Sequence, residues 1–185
     1  MLTVILKSIT TLATADFLTG LVHWWEDTYG NPNWKFLGKS IIEPNLIHHK
    51  KPRAFLQGNY WTRINTSFLA GLILLALCYL FHILNGYSFC CILLSIHGNE
   101  IHRLAHQSNK ENGKFITALQ LTGLLQSRKH HGRHHTMPYE CSYCAITNYL
   151  NPLLDNIKFW NKLEWSILKL TGIKVLRGSP IRNGL

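Results

Sequence analysis

Residues 67–84 read SFLAGLILLALCYLFHIL, eighteen residues that include no Asp, Glu, Lys or Arg and a single histidine, His82. The hydrocarbon core of a bilayer is about 30 Å thick, and a helix needs about twenty residues to cross it. With its flanks, this stretch is predicted to be a transmembrane helix. Asn85-Gly86 follows as a turn signal, and a second apolar run occupies residues 87–96. The two runs are therefore predicted to form a hairpin that crosses the membrane and returns.

Two other apolar segments complete the prediction. Residues 2–25 form a third candidate span, and because they contain Asp16 and no small-residue cleavage site, we expect this segment to stay in the mature protein. Residues 115–125 are apolar but short, which favours a re-entrant or interfacial helix. The sequence thus predicts an all-α integral membrane protein with three to four spans. One domain is expected over residues 1–177, followed by a disordered tail over residues 178–185.

Charge supports the membrane interpretation. The chain has 185 residues, of which 46% are hydrophobic and 15% charged, and its formal net charge is +10. A net charge this positive is typical of proteins that bind nucleic acids or anionic membrane surfaces. The Lys and Arg residues avoid the apolar blocks, which favours the membrane and predicts no nucleic-acid partner.

The distribution of basic residues predicts the orientation. Six Lys or Arg and one acid, Glu43, lie between residues 28 and 63, twelve Lys or Arg lie from Arg103 onward, and the turn between the central spans has none. By the positive-inside rule, the 28–63 loop and the C-terminal half are cytoplasmic. Nine of the eleven histidines then collect on this face, all except His82 and His97. The sequence thus predicts a cytoplasmic histidine-rich cap.

These nine histidines fall into recognisable patterns. They are His23, the pair His48-His49, the H-x-x-x-H of His102 and His106, and the run His130-His131-Gly-Arg-His134-His135. Two histidines at i and i+4 project from one helical face and can bind one metal. No Glu follows His102, so the H-E-x-x-H of zinc proteases is missing. The alternative for the last run is a solvated basic patch, which would need charge but would not favour imidazole over lysine.

The first span also carries a polar stripe. Asp16, Gly20, His23 and Asp27 fall at i, i+4, i+7 and i+11, which places them on one side of a helix. A glycine on that stripe permits close packing, and an Asp inside a span is costly and usually functional. Asn99 lies on the same stripe as the H-x-x-x-H pair. We therefore expect these side chains to face the histidine cap.

The number of histidines points to more than one metal. Neutral imidazole binds Fe, Zn, Cu and Ni, whereas a mononuclear site uses about three or four protein ligands. Eight or nine convergent histidines therefore favour two metals. Oxidation of an unactivated C–H bond requires an O2-derived iron oxidant, which predicts an iron enzyme acting on a lipid with O2 as co-substrate. An external electron donor is then needed, and the basic face favours an acidic carrier of the ferredoxin or cytochrome b5 type.

Three alternatives stay open from the residues. A lipid hydroxylase would use the same ligands, and a zinc-dependent membrane hydrolase would need a water-activating Glu that the histidine patterns do not supply. A non-enzymatic haem or metal-transfer membrane protein could use His82 and His97 as an axial pair. Cys141 and Cys144 form a C-x-x-C, which without a second pair is a weak zinc or redox signal.

Five stretches together resemble the Kua/CarF-type lipid desaturases, a family of plasmanylethanolamine desaturase-like enzymes. They are ADFLTGLVHWWEDTYG from residue 15, HHKKP from residue 48, NEIHRLAH from residue 99, RKHHGRHHTMPYECSYCAITNYLNPLLD from residue 128 and FWNKLEWSILKLTG from residue 159. They extend over residues 15–172, nearly the whole chain. The resemblance implies a membrane desaturase with a non-haem di-iron centre that uses O2 and a reduced carrier on a phospholipid.

The resemblance also implies a ligand set of eight histidines: His23, His48, His49, His102, His106, His131, His134 and His135. At Asp27 it implies a ligand or a residue that orients one, and we assign Asp16 and Asn99 to orienting ligands or completing coordination. Residues 138–144, which include Tyr139, are similar to the plant-type members of the family, which act on acyl chains. The sequence therefore leaves open whether the oxidised chain is an alkyl ether or an acyl ester.

Overall fold

The computed structural model of the protein describes residues 1–177 and residue 179, and in this part the chain forms α-helices and no strand. The helices are α1 (Leu2–Tyr29), α2 (Glu43–Lys50), α3 (Tyr60–Leu80), α4 (Gly86–Ile96), α5 (Gly98–His106), α6 (Asn109–Thr122), α7 (Arg128–His134), α8 (Leu150–Asn156) and α9 (Phe159–Thr171). A π-helical turn, Gly38–Ile42, and a 3-10 turn, Pro52–Leu56, flank α2. The all-α prediction is confirmed, whereas the predicted tail lies outside the described residues except for Ser179.

Two helices are long and apolar enough to cross a bilayer, α1 and α3. With 21 residues, α3 is about 31 Å long at a rise of about 1.5 Å per residue, which matches the hydrocarbon core. Only 17% of the most apolar part of α1 and 11% of that of α3 is buried inside the protein. An apolar core helix of a soluble protein would be mostly buried, so these exposed apolar faces suit helices in contact with lipid.

The predicted hairpin is formed by α3 and α4, which pack against each other. Asn85 begins α4 as a capping residue, because its side chain accepts hydrogen bonds from the backbone N–H groups of Tyr87 and Ser88. With 11 residues, α4 is shorter than a full span. The chain breaks helical geometry at His97 and continues as α5, whose buried face carries the H-x-x-x-H histidines. The apolar half and the polar half of this segment are therefore separate helices.

The apolar stretch over residues 115–125 lies mainly on α6. This helix is interrupted at Gly113, where φ is +72°, and its chain leaves helical geometry at Gly123, where φ is +80°. Both are conformations that glycine adopts without steric penalty. Phe115 and Leu121 are exposed on α6. The interfacial placement of this helix stays a prediction.

The C-terminal half packs onto the C-terminal end of α1. A core of Trp24, Tyr29, Tyr143, Cys144, Leu154 and Trp160 joins them. The chain returns to α1 again after α9, where the Leu176 N–H donates to the Thr28 carbonyl at 2.7 Å. The Arg177 guanidinium then binds the Glu164 carboxylate and donates to the Tyr143 hydroxyl at 2.7 Å. These contacts fix the end of α1 from which His23 and Asp27 project.

Candidate metal centre

Nine side chains that can bind metal come together in two adjacent groups where α1, α2, α5 and α7 meet. The five-histidine group contains His48, His102, His106, His131 and His135, and the Asp27 group contains His23, Asp27, His49 and His134. Within each group the ligand atoms all lie within 4.8 Å of one another. The two groups touch, since the rings of His48 and His49 are 4.5 Å apart between centroids. All eight histidines implied by the family resemblance are thus gathered at one place.

The five-histidine group is centred on His131. The Nε2 atom of His131 lies 2.7 Å from Nε2 of His102, 3.1 Å from that of His106 and 2.9 Å from that of His135. Metal–nitrogen bonds of about 2.0–2.1 Å place neighbouring ligand nitrogens about 3 Å apart. Nitrogens that converge at this spacing can act together as ligands of one cation.

His48 completes this group from α2. Its Nδ1 faces the Asn45 carbonyl at 2.5 Å, and because a carbonyl only accepts, Nδ1 carries the proton and Nε2 carries the lone pair. The Nε2 atom is buried and has no hydrogen-bond partner among the described residues. A buried polar atom is almost always satisfied, so this nitrogen fits a metal ligand.

The Asp27 group is arranged around one carboxylate. Oδ1 of Asp27 lies 3.0 Å from Nε2 of His49, and Oδ2 lies 3.1 Å from Nε2 of His134 and 3.6 Å from Nε2 of His23. The Asn45 amide donates to Oδ1 at 2.6 Å. Three imidazoles and a carboxylate form a ligand set that suits iron.

Backbone carbonyls orient two histidines of this second group. Nδ1 of His23 donates to the Tyr143 carbonyl at 3.2 Å, and Nδ1 of His134 donates to the Cys141 carbonyl at 2.9 Å. Such contacts fix the tautomer and ring orientation of metal-binding histidines. The Nε2 atoms of both residues are therefore turned toward Asp27 with their lone pairs available.

The doubled histidines explain why there are two groups. Consecutive residues of a helix point about 100° apart, and residues four apart point the same way. His48 and His49 accordingly divide between the groups, and so do His134 and His135, while His131 and His135 share one. The helical pattern of the sequence predicts both His134 and His135 on the side of His131. The structure corrects this for His134, which lies within α7 three residues after His131 but faces the Asp27 group, while His135, four residues after, joins His131.

Burial keeps the imidazoles of the five-histidine group neutral. Desolvation, followed by the neighbouring histidines, lowers the pKa of His48, His102 and His131 well below the usual value. The same causes lower the pKa of His106 to about 4 and that of His135 to about 2. Neutral imidazole is the form that binds metal, so the donor set is ready for a cation at neutral pH.

Asp16 and Asn99 lie outside the two groups. The Asp16 carboxylate accepts from the backbone N–H groups of Ile146 and Thr147 at 2.8 and 3.2 Å, and from the Thr147 hydroxyl at 2.6 Å. Asn99 donates to the Arg63 carbonyl at 2.9 Å. Asp16 therefore anchors the segment whose Tyr143 and Cys141 carbonyls orient the histidines, and it reaches the site through that segment.

Two other polar residues hold the same segment, and the sequence patterns did not indicate them. The Asn151 amide bonds both the N–H and the carbonyl of Cys144, at 2.9 and 2.8 Å. The Asp155 carboxylate accepts from the Ser142 N–H and hydroxyl at 3.0 and 2.7 Å. A polar residue that hydrogen-bonds to backbone groups has no characteristic sequence spacing. The one sequence feature that marks these two residues is their position in a stretch that resembles the family.

The remaining histidines and the C-x-x-C have other surroundings. His130 contacts the Asn151 amide at 3.3 Å, and His97 contacts the Tyr60 hydroxyl at 2.8 Å. His82 is exposed, and it is separated from His97 by the whole of α4, which is about 16 Å long. These two histidines are therefore too far apart to bind one haem. Cys144 is fully buried, and its burial raises the pKa of the thiol, so it is poorly suited to bind metal as a thiolate.

The segment that contains Cys144 packs closely against α1 at Gly20, and a substitution of this glycine tests that packing. A Cβ at this position would lie 2.6 Å from Sγ of Cys144 and 3.0 Å from its backbone nitrogen. We expect Gly20→Ala to destabilise the protein by about 1–3 kcal/mol, because overpacking outweighs the gain in helix propensity. Gly86→Ala is the matched control, since nothing lies within 4 Å of its added methyl group. Equal thermal unfolding temperatures of the two variants in detergent would contradict this packing.

Comparison with known proteins identifies the family. A family model described as "Lipid desaturase domain" matches residues 12–177. The chain is 32% identical over 160 residues to a probable fatty acid desaturase of Acanthamoeba polyphaga mimivirus, covering 86% of this chain and 80% of that protein. It is 33% identical over 183 residues to plasmanylethanolamine desaturase 1 of Mus musculus, covering 92% of this chain and 67% of that protein.

A plant relative extends the range of named substrates. The chain is 32% identical over 166 residues to the chloroplastic fatty acid desaturase 4-like 1 of Arabidopsis thaliana, covering 86% of this chain and 55% of that protein. No solved structure matches the chain. The match over residues 12–177 includes all nine residues of the five-histidine group and the Asp27 group, and the chain belongs to the lipid desaturase family.

Proposed function

We propose that this protein is an O2-dependent integral-membrane desaturase that introduces a double bond into an alkyl-ether or acyl chain of a phospholipid. The observation that carries the proposal is the pair of adjacent metal-ligating groups at the ends of helices whose apolar faces are exposed. The basic loops favour a site on the cytoplasmic side of the membrane, by the positive-inside rule. The relatives named as a probable fatty acid desaturase and a plasmanylethanolamine desaturase support a lipid substrate.

The two groups are proposed to hold two irons, one in each. The five histidines and the Asp27 group supply the imidazole and carboxylate ligands that non-haem iron uses. When bound, the irons supply the activation of O2 that removal of hydrogen from an unactivated carbon requires. The overall change removes two hydrogens from adjacent carbons and reduces O2 to two waters, with two electrons and two protons from outside.

The protein's own residues hold, orient and shield this centre. Carbonyls of residues 45, 141 and 143 fix the histidine tautomers, and eight of the nine group members are buried from solvent. His135 alone is partly exposed. A water-excluding site strengthens the electrostatic interactions within it and suppresses side reactions.

The electrons are proposed to come from an acidic carrier of the ferredoxin or cytochrome b5 type. Arg128, Lys129 and Arg133 lie on α7, the same helix that carries His131 and leads to His135, and Lys129 and Arg133 are exposed there. Opposite charges on two partners accelerate their encounter and fix their orientation. A basic surface next to the least buried ligand therefore supports delivery of electrons at this side.

Metal analysis and lipid analysis test the proposal together. Protein purified in detergent is expected to contain about two irons per chain, because each group has a complete ligand set of about four or five. Mass spectrometry of lipids from cells with and without the gene is expected to show one phospholipid class that loses two hydrogens. A product that gains an oxygen atom would favour the hydroxylase, and one zinc with no iron would contradict the proposal.

A further inference from the structure

A cavity of about 630 Å3 lies between α1 and α3 and reaches the metal-ligating groups. Its floor is formed by the start of α5, and residues between Ser40 and Gln57 line its polar end. Both α1 and α3 pack against α4, and their mutual contact is much smaller. The cavity occupies the gap that this arrangement leaves between the two spans.

The two ends of the cavity differ in chemistry. Away from the metal-ligating groups its lining is mostly apolar and includes Leu18, Leu21, Ala70, Gly71 and Leu74 beside Thr19. Of the apolar lining residues, Leu74 on α3 is 37% exposed, and Val22, next to His23 on α1, is 56% exposed. Because these residues also belong to the lipid-facing sides of α1 and α3, the apolar end opens toward the bilayer between the two helices.

The other end is polar and touches both metal-ligating groups. Its lining includes the polar residues Glu26, Ser40, Asn45, Gln57, Arg63 and Asn99. Among the nine group members, His23 and His102 line the cavity, one from each group. Their rings are 5.3 Å apart between centroids. A molecule in the cavity therefore meets both groups at this end.

We propose that this cavity binds one hydrocarbon chain of a membrane lipid, which enters sideways from the bilayer between α1 and α3 while its polar head stays at the polar end. This assignment rests on the proposed function. Along α3 the lining runs from Thr62 to Leu74, about 18 Å at a rise of about 1.5 Å per residue. The volume is within the range of about 300–1,000 Å3 of small-molecule sites.

A lipid chain is the occupant because of where the apolar end opens. A chain of a bilayer lipid is already at this opening and needs no transfer through water to enter. Transfer of apolar surface from hydrocarbon into an apolar cavity costs little, and the polar head finds partners at the opposite end. The cavity thus presents the chain to His23 and His102 with the head group outside the apolar part.

Two tryptophan variants of α3 test the entrance. Ala70 lines the cavity, whereas its neighbour Leu69 is 61% exposed and does not line it. Ala70→Trp is expected to lower lipid desaturation at least about tenfold without changing the iron content, because the indole fills the gap. Leu69→Trp, which adds the same bulk on the outer face, is expected to match the parent protein. Equal activity of Ala70→Trp and the parent would overturn the proposal that lipid chains enter between α1 and α3.

A labelling experiment keeps the test independent of activity and of folding of the tryptophan variants. The parent protein is reconstituted with a phospholipid that carries a diazirine near the end of one chain, then irradiated and digested. Label on the cavity-lining residues of α1 and α3 is expected, and label confined to Leu69 and Ile73, on the outer face, would overturn the site. If the iron-loaded parent desaturates no lipid but the cavity is labelled, the proposed function fails while the binding site stands.

Discussion

His131→Ala is expected to abolish desaturation and to reduce the bound iron from about two to about one per chain. Nε2 of His131 is within 3.1 Å of Nε2 of three other histidines, and its side chain is buried. Its removal takes the central ligand from the five-histidine group. Loss of a residue that merely orients a ligand costs about 10–100-fold in metal affinity or activity, so we expect at least about 100-fold for the ligand itself.

Two histidines outside the groups are the controls for this variant. His130→Ala changes the adjacent position, whose imidazole contacts Asn151 and no group member, and His82→Ala changes an exposed turn residue. His82→Ala is expected to match the parent in iron content and turnover, and His130→Ala is expected to keep both irons. Iron per chain is measured after purification, alongside lipid product per cell. If His82→Ala were as damaging as His131→Ala, the assignment of the site would be wrong.

The gathering of the histidines was predictable, and their division was not. The basic residues of the loops predict that His48, His102 and His131 share one face of the membrane, by the positive-inside rule. Which of two adjacent histidines joins which group depends on how the helix is rotated about its axis against its neighbours. His134 lies within α7 and faces the Asp27 group, whereas His131 and His135 face the other, and sequence spacing does not report that rotation.

The ends of the apolar helices also could not be predicted from the sequence. The apolar run at residues 67–84 predicts a helix, but α3 begins at Tyr60 and ends at Leu80. Its start is set by Asn59, whose side chain accepts from the Thr62 N–H at 2.9 Å. Its end precedes His82, which adopts a φ of +54° in the turn. Capping and turn geometry decide both limits, and hydropathy reports neither.

Asp16 shows how a correct pattern can still hide a partner. The stripe of Asp16, Gly20, His23 and Asp27 is buried on one side of α1, as its spacing predicts. Asp27 faces histidines, whereas Asp16 faces backbone N–H groups of residues 146 and 147. Helical periodicity says which side of a helix is buried, but the identity of the packed segment follows from the tertiary fold alone.

Asp27→Asn is expected to remove the second iron and to abolish desaturation, with a loss of at least about 100-fold. The substitution keeps the shape of the side chain and its contact with Asn45, but it removes the negative charge that three imidazoles surround. A neutral amide is a poorer ligand for iron than a carboxylate. Glu140→Gln is the matched control, because this carboxylate is 45% exposed and lies 3.8 Å from Arg177.

The double variant Asp27→Asn with His131→Ala separates two metal positions from one. Each single variant is expected to retain about one iron, because the other group keeps its full ligand set. The double variant is expected to retain none, whereas its activity should be no lower than that of either single variant, since residues that act as a unit are not additive. If Asp27→Asn kept both irons and full turnover, Asp27 would lie outside the reactive centre. If either single variant lost all its iron, the nine side chains would form one cooperative site, because removal of one group would then have emptied the other.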